Sequence, residues 1–312
     1  MARMTPLPPV FPFDWAVAHG EDPQGLWQAF ELPGTTHVRQ RLRWIPPGQF
    51  LMGSPPDEPE RGSNELQHAV VLTQGLWLAD TACTQALWST VLGQNPSRFS
   101  DNPENPVENV SWNDVVKDFL LRLNDLLPGL AATLPNEAQW EYACRAGTQT
   151  PFSFGDTLST GQANYNGNFP YAGGDKGVYR EKTVPVLDLP ANDWGLYQMH
   201  GNVWEWCRDG LRDYAPDGLP VVDPEGPGGP SVGRALRGGS WLSDAQFCRC
   251  ANRSAGHPGY RLDRIGFRLA RGLPEATRAE PAGIAEPEAR RAGVGAPALR
   301  AEGAPRSKGE GS

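Results

Sequence analysis

Between Thr148 and Arg271 the chain carries no long helical period; Gly, Asn, Pro and Trp dominate instead. Such a stretch cannot build a helical bundle or an alternating helix–strand array. It predicts short strands and long ordered loops, with Gly and Pro fixing the turns and Trp supplying buried area. The whole chain of 312 residues has 36 Gly, 31 Pro and 11 Trp against a hydrophobic content of 39%. One α+β domain with an irregular second half follows.

The first half is better punctuated. VRQRLRWIPPGQFLMGS alternates and breaks at Pro46-Pro47-Gly48, which predicts two strands around a turn, and HAVVLTQGLWLAD reads as further strand. Thr84 caps a helix over QALWSTVL that stops at Gly93. Ser111 with Asp114, and Asn136 with Gln139, have capping-box spacing and open two more helices. Residues 1–40 are Pro-rich and read as an irregular arm. After Arg271 the chain has no aromatic residue and is dominated by Ala, Gly, Pro, Glu and Arg, so residues 272–312 are expected to be disordered. Residues 41–271 remain as the domain.

A net charge of -8 argues against nucleic acid as the main partner, since phosphate neutralisation needs a basic face. No apolar run has membrane-spanning length, and MARMTPLPPVFPFDW has no signal-peptide core. Five widely spaced cysteines do not resemble a secreted disulfide scaffold. Together these give the expectation of a cytoplasmic protein with reduced thiols.

Two segments concentrate chemistry. In GLYQMHGNVWEWCRD, the side-chain oxygens of Gln198 and Glu205 and the carbonyls of Gly201 and Val203 suit a hard cation such as calcium. The competing reading makes Trp204 and Trp206 core residues and pairs Glu205 with an arginine. In RGGSWLSDAQFCRCANRSAGHPGYRLDRIGFRLA, Cys248 and Cys250 form a Cys-x-Cys that would face one side of a strand and offer two soft ligands. The alternative is that both are small buried hydrophobes. His200 and His257 stand alone in sequence, outside any zinc pattern.

The blocks GQFLMGS, TQALW, NPVENVSWNDV, LPNEAQWEYACRAG, GLYQMHGNVWEW, RGGSW and IGFRLA occur in this order between Arg41 and Arg271. Together they closely resemble the formylglycine-generating enzyme (sulfatase-modifying factor) family. The resemblance implies a C-type-lectin-like fold: a small twisted antiparallel sheet, about three helices and much ordered loop. It also implies calcium at Gln198, Gly201, Val203 and Glu205, with Gln198 standing where Asn or Asp is common. A second calcium would use Asn164 and Tyr165, but the Asp expected near Val178 is missing.

Enzymes of the family bind Cu(I) through two cysteines after the Gly-Gly-Ser block. The second matches Cys248, while the first falls on Ser243, whose hydroxyl is a poor Cu(I) ligand. That argues against copper and against formylglycine generation. The helical-bundle His pattern of the related ergothioneine sulfoxide synthases is absent. A third branch comprises the variable proteins of diversity-generating retroelements, in which copying of template adenines turns AAC codons into NNC. NNC codons never encode Gln, Glu, Lys, Met or Trp, and from Leu242 to Arg264 the one such residue is Gln246.

The resemblance therefore implies a non-catalytic protein that binds another protein through a hypervariable face. CRCANR, Pro258, Arg261 and IGFR would be its framework. The diversified positions would be Leu242, Ser243, Asp244, Phe247, Ser254, Ala255, Gly256, His257, Gly259, Tyr260, Leu262, Asp263 and Arg264. The alternative is a copper- and oxygen-dependent modifying enzyme using Cys248, with Cys250 or another thiol.

Overall fold

The computed structural model describes residues 6–35, 38–214 and 218–271; the disordered-tail expectation for 272–312 lies outside them. The described residues form three sheets and a few short helices. The largest sheet has six strands in the order Ala18–Asp22, Gly25–Glu31, Arg39–Ile45, Leu76–Ala79, Ala270–Arg271 and Ala132–Thr133, each antiparallel to its neighbours. The last described strand is thus inserted beside one from the first third of the chain.

The N-terminal stretch is not simply an irregular arm. Ala18–Asp22 and Gly25–Glu31 pair as a hairpin, with Ala18 opposite Ala29 and Asp22 opposite Gly25. Alternation there is masked because Gly25–Glu31 buries Ala29 and Phe30 consecutively. The expected turn at Pro46-Pro47 also needs correction. Arg39–Ile45 and Gly48–Met52 are both strands, but they belong to different sheets. Prolines without N–H groups bend the chain there rather than closing a hairpin. Gly48–Met52 pairs with His68–Leu72, which in turn pairs in parallel with Val221–Val222.

All three helix starts appear where expected. Thr84 caps Gln85–Leu92, and Gly93 closes it at φ 77°. Ser111 and Asp114 form a reciprocal capping box at Trp112, and that helix continues through a wider-turned stretch, Val115–Phe119, into Leu120–Leu126. Asn136 and Gln139 form the second box, before Glu137–Arg145. That helix ends one residue earlier than its glycine suggests, with Ala146 itself left-handed at φ 47°.

The third sheet positions the region of interest. Its order is Arg253–Gly256, Arg234–Arg237, Trp204–Trp206 and Ile265–Gly266. Leu236 faces Ser254 and Trp206, and Ile265 runs parallel to Trp204. One core collects Trp77, Trp88, Phe119, Trp206 and Phe267, with Trp88 and Phe119 stacked at 5.0 Å. A second gathers Trp140, Tyr142, Met199, Cys144 and Cys250 behind the same sheet.

Candidate functional site: a cavity on a pinned loop surface

A cavity of about 360 Å³ opens on the third sheet. Leu242, Ser243, Asp244, Phe247, Ser254 and Arg264 line it together with Trp204, Ser240, Asn252 and Arg253. Six of the sequence-predicted face positions therefore meet in one concavity. Ala255, His257, Tyr260 and Leu262 are exposed on the same connection between Arg253 and Ile265, and Gly259 and Asp263 are half-buried there. Tyr260 is 57% and Phe247 40% exposed, so substantial aromatic area faces solvent. His257 and Tyr260 lie with ring centroids 5.6 Å apart.

Gly256 departs from the expectation. It is buried, and a Cβ there would come within 2.8 Å of the Trp206 ring and 3.2 Å of Leu236. It belongs to the frame rather than to an accessible face. Its place in the sheet, invisible in a run of small residues, decides this.

The backbone beneath these side chains is held at many points. Trp241 N donates to the Asn202 carbonyl at 2.9 Å and its indole to the Asp263 carbonyl at 3.0 Å. The Ser243 carbonyl accepts from Asn166 N at 2.9 Å, Ala245 N donates to Phe169 O at 3.1 Å, and Cys250 N donates to Pro151 O at 2.7 Å. Asn109 N reaches the Leu262 carbonyl at 2.9 Å.

Beneath them lie buried ion pairs. Arg249 binds Glu58 at 2.6 Å and Glu65 at 2.7 and 2.9 Å, while Arg253 binds Glu137 at 2.8 and 2.5 Å. CRCANR is framework in this sense, with Cys248, Arg249, Cys250, Ala251 and Arg253 buried and Asn252 partly so.

The Cys-x-Cys does not form a two-thiol site. Cys248 ends a short turn, Ala245–Cys248, and packs with Phe152, Tyr165 and Tyr171; Cys250 packs in the core behind the sheet. Strand periodicity does not apply across that turn. Burial pushes the Cys248 thiol well above its ordinary pKa. Ser243 Oγ accepts from Ser240 N at 3.0 Å, an arrangement suited to a hydroxyl.

Cys250 instead meets Cys144, Sγ to Sγ at 3.6 Å, with His200 Nε2 3.8 Å from Cys144. Burial pushes both thiols up. At Cys250 the Cys144 S–H and the Arg145 and Arg237 cations outweigh it, so its pKa falls below the ordinary value. Sequence spacing gave no signal for this group, whose two thiols lie 106 residues apart with His200 between them in the chain. His200 has little to offer a metal. Its Nδ1–H donates to the Cys248 carbonyl at 2.7 Å, and Nε2 accepts from Ser153 N at 3.1 Å with Ser153 Oγ at 2.9 Å. Burial lowers its pKa to about 4, so the ring is neutral and its lone pair is taken.

The side-chain oxygens of the GNVWEW segment already have partners within the chain. Glu205 Oε2 accepts from Arg268 Nε at 2.6 Å and from the Trp140 indole at 2.7 Å; Oε1 accepts from Arg268 Nη2 at 2.7 Å. Gln198 turns its carbonyl oxygen to Asn202 and its amide to the Pro185 carbonyl. Val203 is buried, and Gly201, at φ 82°, packs so closely on Asn164 that a Cβ would lie 2.3 Å from its carbonyl. The arginine reading of Glu205 is the observed one. Trp206 is core, but Trp204 walls the cavity, a role that its parallel pairing with Ile265 creates.

Asn164 differs. Its Nδ2 donates to the Lys182 carbonyl at 2.9 Å and to Asn202 Oδ1 at 3.0 Å, leaving Oδ1 buried with no partner. An orphaned buried oxygen of this kind fits a cation. Tyr165, next in sequence, is buried and spends its hydroxyl on the Leu158 carbonyl at 2.9 Å.

No helix among the described residues is long and apolar enough to cross a membrane. The sulfatase-modifying factor enzyme 1-like domain family matches residues 30–273. The formylglycine-generating enzyme of Streptomyces coelicolor is 33% identical over 224 residues, covering 67% of this chain and 68% of that protein. The Bos taurus formylglycine-generating enzyme is 34% identical over 199 residues, and the match spans 50% of its length. Among solved structures, Treponema denticola variable protein 1 has 28% identity and a TM-score of 0.65, over 78% of this chain and 98% of that one. PvdO from Pseudomonas aeruginosa has 29% identity and a TM-score of 0.60, over 78% and 100%. The α+β arrangement described above is the C-type-lectin-like fold that the sequence motifs imply.

Proposed function

The chain belongs to the formylglycine-generating enzyme family, and we propose that within it this protein is a non-catalytic binder of another protein. It is read as a variable protein of a diversity-generating retroelement, with its binding face on residues 242–264. The observation that carries the reading is the combination of exposed, chemically varied side chains with a backbone pinned from behind. Leu242, Phe247, Tyr260 and Leu262 are exposed, while Arg249 and Arg253 anchor their loops in buried ion pairs. Tyr, Phe and His supply contact area at low entropic cost, and a fixed backbone limits the ordering cost of association. The likeness to Treponema denticola variable protein 1 supports the same reading.

A locus test separates this from an ordinary family member. A reverse transcriptase gene and a near-copy of the segment with adenines at the face codons are expected beside the gene. Their absence would remove the diversification part of the reading.

For the family's calcium, the orphaned Asn164 Oδ1 supports the Asn164–Tyr165 position, while the Arg268 pairing of Glu205 speaks against the Gln198–Glu205 set. A calcium ion there would supply a structural tie near Gly201. The second reading, a copper- and oxygen-dependent modifying enzyme, rests on the identity to the Streptomyces enzyme. In that reading Cys248 would act without the thiol partner that Ser243 replaces. Saturable Cu(I) binding with oxygen consumption would favour it over the binder.

A further inference from the structure

The cavity at the centre of the face has a specific chemical character. At about 360 Å³ it lies at the small end of ligand pockets, suited to one long side chain rather than a large cofactor. Leu242, Phe247 and Trp204 give its wall hydrocarbon and aromatic surface.

Most of its polar groups already have partners. Ser243 Oγ holds Ser240, Arg253 is spent on Glu137, and Asn252 Nδ2 lies 3.4 Å from Glu65 Oε1. Arg264 has Asp263 at 3.6 Å, and Arg98 engages the same aspartate. Asp244 is different. Its carboxylate caps no backbone N–H and has no hydrogen-bond or ion-pair partner among the described residues. The backbone around it is nevertheless fixed. Phe247 N donates to the Asp244 carbonyl at 3.1 Å, and the neighbouring Ser243 and Ala245 are tied to Asn166 and Phe169.

An anionic group entering here would meet Asp244, and a purely apolar one would strip water from that carboxylate without replacing it. A side chain with a methylene stem and a cationic head satisfies both parts. The stem covers Leu242 and Phe247, and the cation finds a carboxylate beside aromatic rings. We propose that this cavity receives a lysine or arginine side chain of the bound protein, its charge placed on Asp244. The proposal rests on the binding-face reading and names the chemistry of the partner at its centre.

The test is an NMR titration of the full chain with four probes: the N-acetyl amides of arginine, lysine, glutamate and leucine, followed at the Trp204 indole N–H. The two cationic probes are expected to shift that signal and to bind about tenfold more tightly than the other two. Asp244→Asn is expected to abolish the preference, with Asp244→Ser as a second variant should the first fold poorly; Asp188→Asn, at an exposed carboxylate outside the cavity, is expected to retain it. Equal binding of all four probes, preference for glutamate, no Trp204 response to the cations, or a preference that survives loss of Asp244 would each overturn the proposal.

Failure here is distinguishable from failure of the face. Protein binders that are weakened by Tyr260 and Leu262 substitutions but place no basic residue in the cavity would remove only this assignment. Binders indifferent to the whole face would remove both.

Discussion

The Glu205 carboxylate is held by the Arg268 guanidinium through two parallel bonds, 2.6 and 2.7 Å, in a position where both side chains are buried. Arg268 also donates to the Ala79 carbonyl at 3.1 Å and the Tyr197 carbonyl at 2.9 Å, so it ties three parts of the chain together. Removing one partner strands the other as an uncompensated buried charge. Arg268→Met is expected to cost about 3–5 kcal/mol in chemical denaturation. A loss under 1 kcal/mol would show that the pair is not the buried cross-link described.

The same pair bears on calcium. With Glu205 neutralised by Arg268 and Asn164 Oδ1 orphaned, any calcium-dependent rise in melting temperature is expected to vanish in Asn164→Ala and to persist in Gln198→Ala. The reverse pattern, read by thermal unfolding with and without a chelator, would place the ion at the GNVWEW segment.

Glu108 gives a pH signature next to the face. Burial pushes its carboxyl up to about 7, although Phe99 N donates to it at 2.8 Å, and Oε2 has no partner. Between the unfolded value and about 7 the native state keeps a proton that the unfolded chain has released. Its contribution to stability is therefore present at low pH and is lost as pH rises from about 5 to about 7. Glu108→Gln should flatten that part of the stability profile in urea unfolding; an unchanged slope would contradict the assignment.

The division between face and frame is also measurable. Gly256→Ser presses a side chain against Trp206 and should cost on the order of 1–3 kcal/mol. Substitution of Ala255 or Tyr260, both exposed, is expected to stay within about 0.5 kcal/mol. Equal tolerance at all three positions would erase the boundary.

Much of this was legible in the residues. The three helix starts follow from local hydrogen bonding by Thr84, Ser111 and Asn136, which needs no tertiary knowledge. The residues that meet in the cavity, Leu242, Ser243, Asp244, Phe247, Ser254 and Arg264, could be singled out from composition and from the family blocks on either side. Features made by long-range pairing were not. Trp204 reads as core until Ile265 is seen running beside it, and Gly256 reads as variable until Trp206 is found beneath it. Cys250 appears to pair with Cys248 because they are near in sequence, yet its neighbour is Cys144, brought in by the Glu137–Arg145 helix. Glu205 offers a ligand's chemistry, and only the path of the chain shows that Arg268 has taken it.

The central claim is that residues 242–264 form a binding face carried by a rigid frame. Its most direct test selects protein binders against the intact chain and measures their affinity for a variant with Leu242, Phe247, Tyr260 and Leu262 all changed to Ser. The expected result is a loss of at least about a hundredfold in affinity, as removal of several anchor side chains from one interface gives, with far-UV circular dichroism and a cooperative thermal transition retained. Binders that retain full affinity for the folded variant would contradict the claim.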